Sequence, residues 1–273
     1  MKKLPIKYEL SLEELRRREL AILRHFRDYC RRENITWCLA NGSLLGAVKY
    51  GGFIPWDDDI DVLVPRADYD RLIARYRDSR EFRLLSPERE KRYRYPFAKL
   101  CDRSTEKVEE NLDNGVALGV DIDIFPLDAW DADAEKQADR MGRYIRRLQF
   151  WKCRRAISKN PVKRAMKNVL LFLGRPFVPL LVRRMTVQAR KNRISDPALL
   201  GCVTWCVYGR REILPASVFS GYDTKWFEDG EYPVPVGWDA YLRSLYGDYA
   251  QDPPPERQVS HHRFRAFVWE DAP

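Results

Sequence analysis

Residues 57–64 read Asp-Asp-Asp-Ile-Asp-Val-Leu-Val, and this acidic stretch is the strongest signal in the chain. Its last five residues, 60–64, have the β-branched and apolar character of a strand. Side chains two positions apart on a strand share a face, so Asp59 and Asp61 are predicted to project together. Neighbouring carboxylates repel each other, and a hard divalent cation relieves that repulsion. The stretch therefore predicts a site for Mg2+ (or Mn2+), which commonly also holds substrate phosphates. A solvated acidic turn is the alternative.

A second acidic strand is predicted at residues 120–125, where Val-Asp-Ile-Asp-Ile-Phe repeats the alternation of apolar and acidic side chains. An acid that points from this strand toward Asp59 and Asp61 would complete a triad of carboxylates. Asp123 is the candidate, either as a further metal ligand or as the base that takes a proton from an attacking hydroxyl. Asp121 competes for this role because alternation puts both side chains on one face.

The dipeptide Gly42-Ser43 follows a short β-type run at 36–40 and precedes a helical stretch at 44–49. Glycine lets the backbone approach an anion closely, and a helix N-terminus offers free N–H groups and a favourable dipole. The dipeptide is a weak signal alone, but it shortly precedes the acidic stretch. We therefore predict that it contributes to a phosphate-binding site.

Strand-like and helical segments alternate along the chain. Ser11 opens a helix with a capping box, a second helix follows Pro65, and another is expected at 238–246. These patterns predict an α/β (α+β) fold in which a sheet core is flanked by helices. Residues 1–273 are expected to form one domain, with a basic helical insertion at 136–195.

Charge is distributed unevenly along the 273 residues, whose formal net charge is +9. Residues 140–193 contain 17 Lys and Arg and no Asp or Glu, so the remainder of the chain is net acidic. A segment without compensating acids is expected to attract polyanions such as anionic lipid or nucleic acid. Its apolar side chains predict either a peripheral contact with an anionic membrane or packing on the protein's own core.

The composition excludes several classes of protein. A hydrophobic content of 45% and a charged content of 33% are typical of a globular chain and not of a disordered one. No uninterrupted apolar run reaches about 18 residues, and the charged N-terminus lacks a signal-peptide core, so neither a spanning helix nor export is expected. Six cysteines without a CxxC pair predict free thiols in a reducing compartment. A zinc site of Cys202, Cys206, His261 and His262 is the alternative.

The run 41–61, Asn-Gly-Ser-Leu-Leu-Gly-Ala-Val-Lys-Tyr-Gly-Gly-Phe-Ile-Pro-Trp-Asp-Asp-Asp-Ile-Asp, resembles the signature of the LicD-type phosphocholine transferase family. Its order of Gly-Ser, Asp-x-Asp and a later acid is similar to the wider nucleotidyltransferase-fold superfamily. Shorter matches lie at 97–100, 121–128, 246–249, 253–254 and 261–262. The resemblance covers residues 15–130 and 205–265, and it implies a nucleotidyltransferase-like mixed sheet.

The resemblance also implies an activity. The family transfers phosphocholine, or a related phospho-alcohol, from CDP-choline or another CDP-alcohol donor to a hydroxyl of a cell-surface glycan precursor, often lipid-linked. On this basis Asp59 and Asp61 would bind the metal that bridges the donor diphosphate. Asp123 would complete the metal site or serve as the base. Gly42 and Ser43 would cradle the diphosphate.

Lys49 and Lys99 are then the candidates to neutralise charge as the cytidylate leaves, and a surface role is the alternative for each. Asp57 and Asp58 are expected to position the turn or bind water rather than metal. The resemblance implies a cytoplasmic enzyme, peripheral at the inner membrane face. Other readings are a nucleotidyltransferase that uses an NTP and a non-catalytic polyanion binder. The acidic motifs disfavour the non-catalytic polyanion binder, so no nucleic-acid partner is expected.

Overall fold

The computed structural model describes residues 6–192, 196–260 and 263–269, with side chains from Tyr8 onward. His261 and His262, which the zinc alternative requires, lie outside the described residues. Within the described ranges the helices longer than one turn are α1 (Leu12–Glu33), α2 (Asn41–Lys49), α3 (Arg66–Arg75), α4 (Ala134–Lys152), α5 (Pro161–Gly174), α6 (Val178–Arg190) and α7 (Trp238–Tyr246). The strands are β1 (Ile6–Glu9), β2 (Cys38–Leu39), β3 (Asp61–Pro65), β4 (Phe82–Leu85), β5 (Ala98–Asp102), β6 (Thr105–Glu109), β7 (Asp121–Ala129), β8 (Leu199–Gly201), β9 (Leu214–Pro215), β10 (Tyr222–Phe227), β11 (Gly230–Pro235) and β12 (Phe264–Trp269).

The central sheet is mixed and has the order β2-β3-β7-β5-β4, with β8 and β9 attached at the end of β7. Strands β3 and β7 run parallel, whereas β2–β3, β7–β5 and β5–β4 are antiparallel. A second sheet contains β1, β12 and β6, and β10 pairs with β11 as a hairpin. Helices flank this mixed sheet, which confirms the predicted α+β fold class.

The register of the central sheet brings the two acidic strands together. Asp61, the first residue of β3, is aligned with Asp123 in β7. Lys99 in β5 is aligned with Asp123 from the other side. Aligned neighbours in adjacent strands place their side chains on the same face of the sheet. The sheet therefore places Lys99 and two carboxylates in one row.

Near this row of side chains, one strand and one helix begin at residues other than those predicted from the sequence. Strand β3 begins at Asp61 and not at Ile60, so the loop before the strand, and not strand alternation, sets the position of Asp59. Helix α2 begins at Asn41 because the carbonyl of Ala40 already accepts the first helical hydrogen bond. Gly42 and its neighbour therefore lie in the first turn of α2, ahead of the apolar residues that indicated the helix.

Helix α1 packs on the sheet and confirms the predicted capping box. Ser11 Oγ accepts from the Glu14 backbone N–H at 3.3 Å, and the Glu14 carboxylate accepts from the Ser11 N–H at 2.9 Å. Ile22, Leu23 and Phe26 of α1 are fully buried in the main core. Burial of each such side chain contributes about 1.5–3 kcal/mol, so this helix holds the sheet in place under the site.

The basic segment is helical, as predicted, and only part of it is buried. Met141 and Leu148 of α4 pack with Met185 of α6 in a smaller core of their own. Helix α5 differs, because only Leu171 and Gly174 among its residues are buried. The segment therefore combines a packed pair of helices with one helix that lies on the surface.

The stretch Pro161–Arg190 is long and apolar enough, by length and composition alone, to cross a membrane. The expectation that the chain lacks such a stretch was therefore too strict, because it required an uninterrupted apolar run. The structure folds this stretch as α5 and α6, joined by a 3-10 turn at Arg175–Phe177. The inner side of α6 is part of the packed pair with α4, which holds it in the protein's own core.

All six cysteines are free thiols, as predicted, and five of them are buried. Burial raises the pKa of the Cys202 and Cys206 thiols, which keeps both protonated at neutral pH. These thiols therefore act as small apolar side chains of the core.

Candidate active site

A cavity of about 1770 Å3 opens at the edge of the central sheet where β3 begins. Its walls come from α2, the loop before β3, strands β5 and β7, and the connection between α4 and α5. The residues predicted from the sequence that line it are Gly42, Lys49, Asp59, Asp61, Lys99 and Asp123. The remaining predicted residue, Ser43, is buried directly behind the wall. The fold thus gathers residues far apart in sequence around one cavity.

Asp61 is held from two sides. Its backbone N–H donates to Ser43 Oγ at 2.9 Å, and its Oδ2 accepts from the Asn41 side-chain amide at 3.0 Å. Its Oδ1 is buried and has no hydrogen-bond partner within the part of the chain that the structure describes. Burial raises the pKa of Asp61 well above its ordinary value, and the charges of Asp59 and Asp123 raise it further. A buried, unpartnered carboxylate oxygen facing other carboxylates fits a divalent cation.

The loop before β3 supplies a second group of acids. Carboxylate oxygens of Asp57, Asp58 and Asp59 lie within 4.8 Å of one another. Arg16 shapes this loop by donating to the Asp57 carbonyl at 2.6 Å, and Ser260 donates to Asp58 Oδ2 at 2.5 Å. Asp57 and Asp58, expected from the sequence to position the turn, are therefore also placed as possible oxygen ligands. Asp59 belongs to both groups of carboxylates.

Asp121 and Asp123 differ in their surroundings. The Asp121 side chain is 1% exposed and lies between Lys99 Nζ at 2.5 Å and Lys107 Nζ at 3.2 Å. Burial alone would raise the pKa of Asp121, but the charges of Lys107 and Lys99 outweigh it and lower the pKa to about 2. Asp123 is 16% exposed and also accepts from Lys99. Burial raises its pKa to about 6 against the opposing charge of Lys99. Asp121 is a buried counter-ion, whereas Asp123 lines the cavity.

The first turn of α2 forms the wall next to these acids. The N-cap residue, Ala40, makes no side-chain capping hydrogen bond, so no cap side chain covers the first-turn amides. A Cβ added at Gly42 would lie 2.6 Å from Asp57 Oδ2, so a larger residue would displace the Asp57 carboxylate. The arrangement provides a half-buried helix N-terminus in the cavity wall, and helix N-termini commonly bind phosphate.

The two predicted lysines are cavity residues and not surface lysines. The Lys49 side chain is 19% exposed, contacts Asp252 at 2.6 Å and donates to the Tyr249 carbonyl at 3.1 Å. The Lys99 side chain is 5% exposed, and the charges of its two aspartates raise its pKa well above the usual value although burial opposes this. Lys99 therefore forms ion pairs with Asp121 and Asp123, whereas Lys49 forms one with the exposed carboxylate of Asp252.

Several polar residues of the site were not predicted from the sequence, among them Asn41 and Lys107. Asn41 joins the site through Asp61 and accepts from the Tyr241 hydroxyl at 2.8 Å. It stands in the quoted signature directly before Gly42, which was the available signal. Lys107 lies in β6, a strand that was not predicted, so nothing in the sequence indicated its contact with Asp121.

Aromatic rings line the cavity around Lys99. Its Nζ lies 5.0 Å from the Tyr95 ring centroid and 5.7 Å from that of Phe97. Trp205 packs on Phe97 with the ring centroids 5.3 Å apart. Aromatic faces are the usual partners of quaternary ammonium groups, so the cavity contains suitable surfaces for an alkylammonium head.

Lys152, at the end of α4, is a further buried cation of the cavity. Its Nζ lies 3.0 Å from the centroid of the Tyr95 ring. Burial lowers its pKa to about 7, although the charge of Glu109 opposes the shift. The Glu109 carboxylate accepts from the Tyr95 hydroxyl at 2.5 Å. The wall of the cavity therefore contains a buried lysine whose pKa is lowered to near neutrality.

We expect Lys152→Met to stabilise the protein in a pH-dependent way. Unfolded lysine stays protonated to about pH 10.4, whereas folded Lys152 loses its proton near pH 7. Wild-type stability therefore rises with pH between these values, and the Met variant lacks that rise. Its advantage in the free energy of unfolding should shrink by about 1.4 kcal/mol per pH unit from pH 7.5 to 9.5. Urea unfolding at several pH values measures this, with exposed Lys159→Met as the control. A pH-independent difference would contradict the burial of a neutral lysine.

Two comparisons with known proteins show what this chain resembles. A family model described as LicD/FKTN/FKRP, nucleotidyltransferase domain, matches residues 34–153, which contain every predicted site residue. The lipopolysaccharide cholinephosphotransferase LicD of Haemophilus influenzae is 27% identical over 265 residues, covering 95% of this chain and 99% of the relative. Residues 34–153 are therefore a LicD-type domain. The chain is accordingly a LicD-like transferase enzyme.

The two comparisons cover different parts of the chain. The LicD family model ends at Cys153, directly after α4, so α5 and α6 lie beyond it. The similarity to the Haemophilus protein extends over nearly the whole chain. The predicted site residues therefore lie in the part matched by both, and the exposed helix α5 does not.

Proposed function

We propose that this enzyme transfers phosphocholine, or a related phospho-alcohol, from a CDP-alcohol such as CDP-choline to a hydroxyl of lipopolysaccharide or its precursor. The observation that carries the proposal is the buried, unpartnered Oδ1 of Asp61 between other acids, beside the α2 N-terminus. This combination suits a diphosphate with a divalent cation. The name of the Haemophilus relative supports the transferred group and the class of acceptor.

Residues of the chain suit Mg2+, or Mn2+, at this position. In this proposal Asp59 and Asp61 hold the ion, and Asp123 or the neighbouring Asp58 completes its oxygen ligands. When bound, such an ion neutralises the diphosphate and makes its phosphorus more open to attack. The ligand set has no sulfur or imidazole among the described residues, which suits a hard cation.

The donor diphosphate binds against the first turn of α2 in this proposal. Gly42 keeps the backbone open to the phosphate oxygens, and the helix dipole favours their negative charge. The buried Ser43 hydroxyl does not contact the diphosphate but holds the Asp61 backbone in place by accepting its N–H. Trp205 accommodates the alkylammonium head of the donor, since the Tyr95 ring already faces Lys99 and Lys152.

The transfer step forms a bond between the acceptor oxygen and the phosphorus that carries the alcohol. The bond from that phosphorus to the bridging oxygen breaks, and CMP leaves with the electron pair. Asp123 accepts the hydroxyl proton in this proposal, since a pKa of about 6 leaves it mostly ionised at neutral pH. Lys99 positions Asp123, and Lys49 offsets the charge on departing CMP.

The reaction is tested by incubating the purified enzyme with Mg2+, lipopolysaccharide lacking phosphocholine, and CDP-choline, CDP-ethanolamine or CDP-glycerol in turn. We expect CMP to form with one donor at a rate that depends on both the acceptor and the metal. A parallel reaction with NTPs tests the nucleotidyltransferase alternative, which releases pyrophosphate. Acceptor-dependent pyrophosphate release without CMP from any CDP-alcohol would contradict the proposal.

We place the reaction in the cytoplasm at the inner face of the membrane. This location suits a nucleotide-linked donor and an acceptor that carries a lipid. Cell fractionation of the host measures it, and we expect the protein in the cytoplasmic and inner-membrane fractions.

A further inference from the structure

Helix α5 presents an apolar stripe to solvent. Val162, Met166, Val169 and Leu173 recur at helical spacing, so they lie on one side of the helix. Their exposed fractions are 67%, 62%, 58% and 58%, whereas the buried contact of α5 is made by Leu171 and its neighbour Gly174. A stripe at this spacing normally packs on a core, yet here it points away from one.

The stripe is part of a larger exposed apolar surface. Large hydrophobic side chains continue it on both sides of α5, and those that are exposed are Ile157, Leu170, Phe172, Phe177 and Leu180. Contiguous exposed apolar surface of this kind marks a site of interaction. The apolar side chains that suggested a membrane contact divide between surface and core: Leu171 and Leu181 are buried, and the exposed ones are Leu170, Phe172, Phe177 and Leu180.

Cationic side chains border the stripe. Lys159, Lys163, Arg164 and Lys167 are exposed and make no ion pair with any acid in the described ranges. The sequence from Arg140 to Arg193 contains no acid at all. A second copy of this chain would bring like charges together across the stripe. An apolar face edged with unpaired cations instead complements an anionic bilayer, where side chains insert and cations meet lipid phosphates.

The same segment forms part of the cavity wall. Arg155, Ile157, Arg164 and Asn168 line the cavity that contains the acids. The exposed surface and the mouth of the cavity are therefore continuous.

We propose that the α5 surface docks on an anionic lipid bilayer and holds the mouth of the cavity at the membrane. The docking does not depend on the reaction. Its consequence, that a lipid-anchored acceptor reaches the cavity without leaving the membrane, rests on the proposed function.

Vesicle co-sedimentation of the full chain tests the docking without donor or metal. We expect binding to vesicles of phosphatidylcholine with phosphatidylglycerol and none to phosphatidylcholine alone. Raising the salt from 50 to 500 mM should weaken binding about tenfold or more, because screening shortens the range of the charges. Equal binding to both vesicles, or to neither, would overturn the proposal.

Variants separate the stripe from other apolar surface. Val169→Ser with Leu173→Ser should weaken vesicle binding about tenfold, whereas the control Val108→Ser with Val236→Ser, exposed elsewhere, should leave it unchanged. Thermal melting checks that both remain folded. A wild-type dimer that the stripe variant no longer forms in sizing experiments, with vesicle binding unaltered, would show a contact between copies and overturn the proposal.

A charge variant and a catalytic variant complete the test. Lys163→Gln with Lys167→Gln should weaken binding to anionic vesicles while CMP release with a soluble acceptor persists. Asp61→Asn should lose CMP release and keep vesicle binding. The docking and the proposed reaction can therefore fail independently. Unchanged binding in the lysine variant would contradict the electrostatic part of the docking.

Discussion

Asp61→Asn should abolish transfer while the metal-free protein melts at the same temperature or higher. The wild-type carboxylate is buried beside Asp59 and Asp123, and its raised pKa shows that its ionised form is disfavoured there. Asparagine removes that charge and can keep the contact with Asn41. It also removes the buried oxygen that suits a cation. A loss of at least 10²-fold in the rate of CMP release is expected.

The control is Asp28→Asn, which changes an exposed acid that pairs with surface arginines. It should leave both the rate and the melting temperature within error of the wild type. Asp59→Asn should behave like the Asp61 variant. Wild-type activity in both the Asp59 and the Asp61 variants would contradict their assignment to the site.

Asp121→Asn and Asp123→Asn should separate stability from rate. Asp123→Asn should lower the rate by about 10²-fold or more, the usual scale for loss of a general base. Asp121→Asn should have the smaller effect on rate but should destabilise the fold by about 3 kcal/mol, since it leaves Lys107 without its buried partner. Steady-state kinetics and urea unfolding measure the two effects. The reverse ranking of rates would transfer the role to Asp121.

The contribution of Asp121 also depends on pH. Its folded pKa of about 2 lies below the usual value, so the stabilisation is present above about pH 4. It is lost as the pH falls through about 2. The destabilisation caused by Asp121→Asn should therefore be full at pH 7 and shrink below pH 4. A constant difference between the two proteins from pH 7 to 3 would contradict the buried ion pairs.

Local patterns in the sequence predicted much of this structure because they depend on neighbouring residues. The capping box at Ser11 and the alternation at Asp121 and Asp123 gave a helix and a strand that the structure contains. Those local patterns could not predict that Asp61 lies beside Asp123 of the second acidic strand. Their proximity depends on the parallel pairing of β3 with β7, which is a property of the whole sheet.

The sequence could not separate Asp121 from Asp123, since alternation puts both on one face. The difference arises from Lys107, which reaches Asp121 from β6. Strand β6 was not predicted, and its contact with β7 is non-local. In the same way, composition predicted a cationic segment but not that α5 turns its apolar side outward while α6 packs on α4. Burial of a helix depends on what the rest of the fold leaves uncovered.

The central claim is that the acidic cavity moves a phospho-alcohol and not a nucleotide. The most direct measurement is mass spectrometry of the acceptor glycan after reaction with CDP-choline, together with the amount of CMP formed. We expect the acceptor to gain one phosphocholine group for each CMP released, with no gain for the Asp61→Asn enzyme. A gain of a cytidylyl group, or an unchanged acceptor despite CMP release, would contradict the account.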